Sequence, residues 1–339
     1  YMKKTILAFT LVIILFLGGC LAPSKKGEVE TENTSYPLII TDQLGREVTI
    51  EEEPERIVSG YYISTSLLIA LDLQDQIVGI ENKPEKRPIY KLAAPRLLQR
   101  PNVGTMKELN MEMVLELEPD LVILPVKLKD NIEALEELGI KVIAVNPENS
   151  DLINEMIAII SKATNTIDRG DRLVEAIDRY TKKLGTLLDG IDEKTVYLGG
   201  NSEFLNTAGS KMYQDTLITL ARGKNVATEI EDSYWVNVSY EQLLKWDPDV
   251  IILASEAEYS KDDVLNDTAI RDIKAVKNKA VEVIPNNIEA WDSPVPSSVL
   301  GSLWMASVLY PDKYSNEEFN LDVQEFYSTF YNIEVNVNE

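Results

Sequence analysis

A short helix and the strand that follows it are encoded twice in this chain. The first copy reads Asn110-Met111-Glu112-Met113-Val114-Leu115, then Pro119-Asp120-Leu121-Val122-Ile123. The second copy reads Ser239-Tyr240-Glu241-Gln242-Leu243-Leu244, then Pro248-Asp249-Val250-Ile251-Ile252. Each copy places a helix N-cap residue two positions before a glutamate and nine positions before a Pro-Asp pair that opens an apolar strand. The repeat predicts two related α/β halves.

The glutamate of each copy falls in the first turn of its helix. A carboxylate there is favoured by the helix dipole alone, so Glu112 and Glu241 have a purely structural explanation. A shared surface function is the alternative, and the repeat by itself leaves both open.

Short β-branched runs alternate with helical patterns around both copies, which is typical of an α/β fold with parallel strands. In the first half the predicted strands are Ile57-Val58-Ser59, Ile77-Val78-Gly79-Ile80, Leu121-Val122-Ile123-Leu124 and Val142-Ile143-Ala144-Val145. In the second half they are Thr195-Val196-Tyr197-Leu198, Val250-Ile251-Ile252-Leu253 and Val281-Glu282-Val283-Ile284. Helices are predicted at about 64–72, 111–118 and 130–138.

No strand pattern occurs between the halves, from Asp151 to Leu188. The apolar residues of its second part are spaced three and four apart, namely Leu173, Ile177, Tyr180, Leu184 and Leu187. This spacing predicts an amphipathic helix of about 22 residues, roughly 33 Å long, which is enough to bridge two domains. A surface helix on one large domain is the alternative.

The composition excludes several classes of function. The chain has 339 residues with 33 Lys and Arg against 56 Asp and Glu, a net charge of −23, which disfavours binding to nucleic acid. It contains no histidine, which excludes Ser-His-Asp catalysis and His-ligated zinc or haem. It contains one cysteine, so this chain forms no internal disulfide.

The N-terminal segment reads as a signal peptide over residues 1–19, with Lys3-Lys4 before an apolar run. Its end, Leu17-Gly18-Gly19-Cys20, resembles the bacterial lipobox, which implies that Cys20 becomes the lipidated first residue of the mature protein. A generic signal peptide followed by a free thiol is the alternative. Residues 20–37 are polar and small, which is typical of a flexible tether. We therefore expect a body anchored by lipid outside the cytoplasmic membrane.

With these features together, the sequence resembles the substrate-binding lipoproteins of ABC importers for iron-siderophore, haem and cobalamin complexes. The motifs that carry the resemblance include Thr41-Asp42-Gln43-Leu44-Gly45-Arg46-Glu47-Val48, Pro54-Glu55-Arg56-Ile57-Val58-Ser59, Asn102-Val103-Gly104, the two repeats, Asn206-Thr207-Ala208-Gly209, and Trp291-Asp292-Ser293-Pro294 to Leu300-Gly301. The resemblance implies two Rossmann-like lobes joined by a long bridging helix. We expect an N-terminal lobe at 38–150, a helical linker at 151–190 and a C-terminal lobe at 191–339.

The resemblance also implies a function without catalysis and without a cofactor. The protein would capture a metal chelate and deliver it to a membrane permease powered by a cytoplasmic ATPase, and it would do so as a monomer. Glu112 and Glu241 match the family's permease-docking positions. A ferric siderophore is the expected ligand, with cobalamin, haem or another metal complex as alternatives, and the lack of histidine disfavours haem. A chelatase-like tetrapyrrole enzyme is the alternative from a different class.

Candidate ligand contacts in the first half follow its first two strands, where ligands bind in open α/β units. Tyr61 and Tyr62 come after the first strand, although core packing would also explain them. The second strand is followed by a basic segment, residues 82–107. Within it Arg87, Arg96 and Tyr90 are the predicted contacts of an anionic chelate. A solvated loop is the alternative explanation of this segment.

Candidate contacts in the second half also lie after strands or in loops. They are Phe204, Met212, Tyr213, Trp235 and Trp291. Aromatic side chains on such loops often serve recognition. We expect no metal ion to be ligated directly by side chains of this protein.

Overall fold

The computed structural model describes residues 34–230 and 233–337. The predicted signal peptide, the lipidation site Cys20 and the larger part of the predicted tether lie outside the described residues. None of the described helices is long and apolar enough to cross a membrane.

The first lobe is built on a parallel sheet. It opens with an antiparallel hairpin of β1 (Leu38–Thr41) and β2 (Glu47–Ile50). The four strands of the sheet are β3 (Ile57–Ser59), β4 (Ile77–Ile80), β5 (Leu121–Pro125) and β6 (Val142–Val145). They lie in the order β4-β3-β5-β6 and are all parallel. Every residue of β5 and β6 is buried, which explains their continuous apolar sequences.

Helices connect these strands. They are α1 (Tyr62–Ala70), α2 (Pro88–Ala93), α3 (Met111–Glu116) and α4 (Lys129–Glu137). Pro88 stands at the first position of α2, where its missing N–H costs nothing. All four predicted strands of this lobe are confirmed.

Two helices lead out of the first lobe, α5 (Ser150–Ala163) and α6 (Ile167–Leu187). The 21 residues of α6 make it about 32 Å long. Leu173, Tyr180 and Leu184 of the predicted apolar stripe are buried, so the amphipathic bridging helix is confirmed.

The second lobe contains a six-stranded mixed sheet. Its strands are β7 (Lys194–Gly199), β8 (Asn206–Ala208), β9 (Gly223–Asn225), β10 (Trp235–Asn237), β11 (Val250–Leu253) and β12 (Val281–Val283). The order is β10-β8-β7-β11-β12, with β9 paired to β7. The predicted strands at β7, β11 and β12 are parallel, whereas β8 and β10 are antiparallel additions.

Six helices complete the described part of the second lobe. They are α7 (Tyr213–Leu220), α8 (Tyr240–Trp246), α9 (Lys261–Asn266), α10 (Lys274–Lys277), α11 (Val299–Leu309) and α12 (Asn316–Phe330). Ten of the eleven residues of α11 are buried, which places this helix in the core. The two-lobed α/β fold with a bridging helix is as the sequence predicts.

The repeat has a structural explanation at its Pro-Asp pairs. The Asp120 carboxylate accepts hydrogen bonds from the backbone N–H groups of Glu55 and Arg56, at 2.9 and 3.0 Å, just before β3 begins. The Asp249 carboxylate accepts from the N–H of Thr195 in β7 at 3.0 Å and from its hydroxyl at 2.8 Å. In each lobe the aspartate thus fixes the start of the neighbouring strand.

Candidate ligand-binding site

A cavity of about 370 Å³ lies between the lobes, where loops after the strands of both sheets meet. Residues of the first lobe that line it include Tyr61, Met106, Val126, Lys127, Asn146 and Glu148. Residues of the second lobe that line it include Lys211, Met212, Tyr213, Gln214, Tyr234 and Trp235. We call it the main cavity. Its place at the carboxyl edges of parallel strands is the usual one for a ligand in an α/β protein.

The strand ends position the first-lobe side chains. Tyr61 follows β3, Lys127 follows β5 and Glu148 follows β6. In a parallel sheet these ends lie at one edge, so residues far apart in sequence share one wall of the main cavity.

Aromatic rings form much of the surface of the main cavity. Tyr61 meets Tyr62 edge to face, with ring centroids 5.4 Å apart. Burial raises the pKa of the Tyr61 hydroxyl, and Tyr62 and Glu148 add to this increase while Arg87 opposes it. Its hydroxyl therefore stays protonated and can donate a hydrogen bond to a ligand oxygen. Tyr234 and Trp235 on the opposite lobe are 58% and 37% exposed, unusually open for such large rings.

Among the described residues, the charged side chains that line the main cavity are Lys127, Lys211 and Glu148. The Lys211 Nζ lies 5.7 Å from the centre of the Tyr234 ring, within cation–π range. The described part of this lining thus holds two lysines and one glutamate, whereas acidic residues outnumber basic ones by 56 to 33 in the whole sequence.

A second, smaller cavity of about 220 Å³ also lies between the lobes, and Tyr62, Arg87 and Glu256 line it. The Arg87 Nη1 is 3.2 Å from Glu256 Oε1 on the other lobe, and its guanidinium stacks 4.0 Å from the centre of the Tyr62 ring. Arg87 and Tyr62 thus sit in the cleft as predicted, but the Arg87 charge is shared with a carboxylate of the opposite lobe.

Met212 and Tyr213 are both at the main cavity. Met212 is the N-cap residue of α7, and Tyr213 is its first residue. The Tyr213 hydroxyl forms a 2.6 Å hydrogen bond with the Ser298 hydroxyl, and burial raises its pKa to about 12. Tyr213 therefore lines the cavity while its hydroxyl is held by the protein.

Arg96 is the clearest correction to the predicted site. Its side chain is 84% exposed and its Nη1 lies 3.5 Å from Asp75, which precedes the amino end of β4. This is the edge of the sheet opposite the cleft, and Arg96 lines neither interlobe cavity. The basic segment curves away from the cleft after α2, so its charges do not all face one site.

Tyr90 and Trp291 are buried rather than available for recognition. Tyr90 lies in the wall of the second cavity, but its hydroxyl donates to Glu81 Oε1 at 2.6 Å and its ring is 1% exposed. Trp291 has no exposed surface, and its Nε1 donates to the Tyr327 hydroxyl at 2.8 Å. Trp291 therefore belongs to the core of the second lobe, which corrects its predicted role as a ligand contact.

Phe204 lies outside both interlobe cavities. Its ring packs edge to face against Tyr197 and Tyr259, with centroids 5.4 and 5.9 Å apart. It lines a separate surface depression beside α9. Its position after a strand therefore does not place Phe204 in the interlobe cleft, which corrects its predicted place among the ligand contacts.

Sequence reasoning missed the two lysines of the main cavity. Lys127 comes three residues after the predicted buried strand that ends at Leu124, so the same rule that selected Tyr61 could have found it. Lys211 had no such signal, because it follows β8, a short polar strand with no apolar pattern.

Glu112 and Glu241 occupy equivalent places on the two lobes. Both are exposed, and both stand at the second position of a helix capped by the preceding Asn110 or Ser239 side chain. Hydrogen bonds from its own backbone N–H and from Ser239 hold the pKa of Glu241 below its usual value. Because α3 and α8 run back into β5 and β11, both glutamates lie at the cleft edges of their sheets.

This two-lobed architecture and interlobe cleft agree with a family model described as periplasmic binding protein, which matches residues 57–288. The chain belongs to this family. The resemblance seen in the sequence is thereby confirmed.

Relatives within the family share most of the chain. The molybdate-binding protein MolA of Haemophilus influenzae is 29% identical over 318 residues, covering 86% of this chain and 90% of MolA. The ABC transporter substrate-binding lipoprotein YvrC of Bacillus subtilis is 26% identical over 327 residues, covering 92% of this chain and 99% of YvrC. The Fe(3+)-citrate-binding protein YfmC of the same organism is 27% identical over 283 residues, covering 81% and 87%.

Solved structures give the same result. MolA bound to molybdate superposes with a TM-score of 0.78 at 27% identity, covering 88% of this chain and 99% of that one. A periplasmic solute-binding protein of Veillonella parvula also gives 0.78 at 27% identity, covering 88% and 94%. All of these relatives carry names of binding proteins, and the protein is an ABC transporter substrate-binding protein of this group.

Proposed function

We propose that this protein is the lipid-anchored, extracytoplasmic component of an ABC importer and that its main cavity captures an anionic metal chelate, with a ferric siderophore as the first candidate. The observation that carries the ligand class is Lys127, an exposed lysine in the lining of the main cavity, whose described charged residues are two lysines and one glutamate. The positive charge of a lysine attracts the carboxylate or catecholate oxygens of a chelate.

The aromatic lining supports the same ligand class. Tyr61, Tyr234 and Trp235 offer flat faces to a chelate, and the Tyr61 hydroxyl adds a hydrogen-bond donor. The cavity volume of about 370 Å³ is near the lower end for small-molecule sites, which favours a compact chelate over a corrinoid.

A molybdate-like oxyanion is the second candidate. The likeness to MolA favours it, since MolA is named for molybdate and covers most of this chain. The lysines of the main cavity suit a tetrahedral oxyanion as well as a chelate.

The second part of the proposed function is delivery of the ligand to the membrane permease. Glu112 and Glu241, exposed at equivalent places on the two lobes, would dock on basic groups of the membrane permease, which a cytoplasmic ATPase powers. Lipidation at Cys20 would keep the protein near that permease, and mass spectrometry of the mature protein tests the modification. No catalytic step is part of the proposal.

A titration of the purified protein with a panel of compounds tests the ligand class. The panel contains ferric citrate, ferric hydroxamate and catecholate siderophores, molybdate, cobalamin and haem, and tryptophan emission reports binding because Trp235 lines the main cavity. Saturable one-to-one quenching by a ferric chelate that is lost in Trp235→Phe supports the proposal. Binding of molybdate alone selects the second candidate, and binding of cobalamin or haem alone contradicts both. Turnover of a porphyrin in the presence of metal would contradict a pure binding function.

A further inference from the structure

The repeat that places Glu112 and Glu241 also exposes a leucine on each lobe. Leu115 is 41% exposed and Leu244 is 39% exposed. They are the fifth residues of α3 and α8, so they occupy equivalent positions in the two copies. A single exposed leucine on a surface needs no explanation. Here, however, a leucine is exposed to the same degree at the same place in both lobes, and this coincidence needs an explanation.

The leucine and the glutamate lie on one face of each helix. Glu112 and Leu115 are three positions apart, as are Glu241 and Leu244, and such residues are neighbours on a helix surface. The buried anchors of the helices, Val114 and Leu243, have no exposed area and lie about 200° around the helix from the glutamates. Each lobe therefore presents a carboxylate and an isobutyl group side by side on the face turned away from its core.

We propose that Leu115 and Leu244 form, with the adjacent glutamates, a two-point docking surface for the permease, in which each point combines an ion pair with apolar burial. The inference rests on the proposed function and deepens it by naming the chemistry of the partner. The partner surface carries a basic group and a small apolar depression about one helical turn apart, and it carries this combination twice.

Energetics favour such a combination over glutamates alone. An exposed ion pair contributes little to binding and weakens with salt. Burying a leucine side chain adds a contribution that salt does not screen. Two Glu–Leu points would therefore hold the protein on the permease more tightly at physiological ionic strength than two ion pairs alone.

The test measures binding of the full, lipidated chain to the detergent-solubilised importer complex of its host, immobilised on a sensor surface. The variants are Leu115→Ser, Leu244→Ser and the double variant. Leu138→Ser and Leu321→Ser are matched controls, because these leucines are 60% and 61% exposed on the first and second lobes but lie outside the repeats. We expect each repeat variant to weaken binding about tenfold and the double variant more, with the controls unchanged and all variants folded by circular dichroism.

The outcomes separate this inference from the docking proposal on which it rests. Repeat variants that bind as the controls do would overturn the inference, even where Glu112→Lys and Glu241→Lys weaken binding. Glutamate variants that bind like the unmodified protein would overturn glutamate docking itself. An affinity that survives high salt in the unmodified protein but is lost at high salt in the double leucine variant supports the inference.

Discussion

The tryptophans Trp235 and Trp291 of the second lobe have opposite surroundings, because Trp235 lines the main cavity and Trp291 is fully buried. Both were predicted as ligand contacts because they are aromatic residues expected in loops, whereas Tyr61, which also lines the main cavity, was predicted from its place after a strand. A loop position does not fix the direction of a side chain. Trp291 turns inward because Tyr327 accepts its N–H and Phe319 meets its ring at 5.8 Å, and both partners lie on α12, whose packing no local pattern encodes.

Lys127, the first-lobe lysine that lines the main cavity, gives a test at the residue scale. Lys127→Ala removes a cation from the main cavity and should weaken binding of an anionic chelate by roughly tenfold, the lower end of what a charge-assisted hydrogen bond contributes, because Lys127 is exposed. Arg96→Ala is the matched control, since Arg96 is an exposed cation of the same lobe on the opposite edge of the sheet. Calorimetric titration measures both, and equal affinities for the two variants would contradict the assignment of Lys127.

A buried carboxyl group gives a prediction about pH. Glu289 is 4% exposed, and burial raises its pKa, although hydrogen bonds from Ser297, Ser66 and Tyr327 oppose the increase. The folded state therefore holds this proton more tightly than the unfolded chain. It follows that the contribution of Glu289 to the free energy of unfolding is present below about pH 4.5 and is lost as the pH rises through the raised pKa.

The variant Glu289→Gln isolates this effect from the general repulsion within an acidic chain. We expect the free energy of unfolding to fall less steeply with rising pH in Glu289→Gln than in the unmodified protein. Urea denaturation at a series of pH values from 5 to 8 measures the slopes. Parallel slopes would show that Glu289 does not bind its proton more tightly in the folded state.

At the scale of elements, the sequence pattern predicts buried strands and amphipathic helices but misses short strands that are polar or exposed. The buried parallel strands and the amphipathic α6 have strong patterns, and both were found. The antiparallel strands β8 and β10 were not, because Asn206–Ala208 is mostly polar and Trp235–Asn237 is largely exposed, so neither belongs to a buried apolar run. They are held by pairing with a strand already in place, which is a tertiary effect. The missed Lys211 follows one of these strands.

The Pro-Asp pairs give a prediction at this scale. Asp120→Ala and Asp249→Ala each leave strand-start N–H groups without a carboxylate partner, and we expect each to lower the free energy of unfolding by about 1–3 kcal/mol. Asp178→Ala, at an exposed position of α6, should change it by less than about 0.5 kcal/mol. Chemical denaturation of the three variants measures these changes. Equal losses of unfolding free energy in all three would argue against a special role for the repeated aspartates.

At the scale of the whole molecule, the lobes are joined by more than the bridging helix. Arg169 of α6 donates to the backbone carbonyl of Ala70 at the end of α1, at 2.6 Å, and to that of Phe330 at the end of α12, at 2.8 Å. Burial lowers the pKa of Arg169, but a guanidinium stays charged at neutral pH. In addition, the Ser66 hydroxyl of α1 donates to Glu289 of the second lobe at 2.5 Å. Helix α1 is thereby fastened to both the bridging helix and the second lobe.

These connections predict a small movement of the lobes on ligand binding. Large closures need loop hinges that absorb changes in backbone dihedral angles, and a continuous 21-residue helix supplies none. With spin labels at Glu133→Cys on α4 and Lys245→Cys on α8, in a Cys20→Ser background, pulsed electron resonance should show the distance between labels shortening by only a few ångströms when ligand is added.

Arg169→Ala removes the fastening of α1 and should broaden that distance distribution without ligand, whereas Arg172→Ala, an exposed neighbour on the same helix, should not. A closure by tens of ångströms, or identical distributions for Arg169→Ala and Arg172→Ala, would contradict the view that the bridging helix and Arg169 together set the rigidity of the cleft.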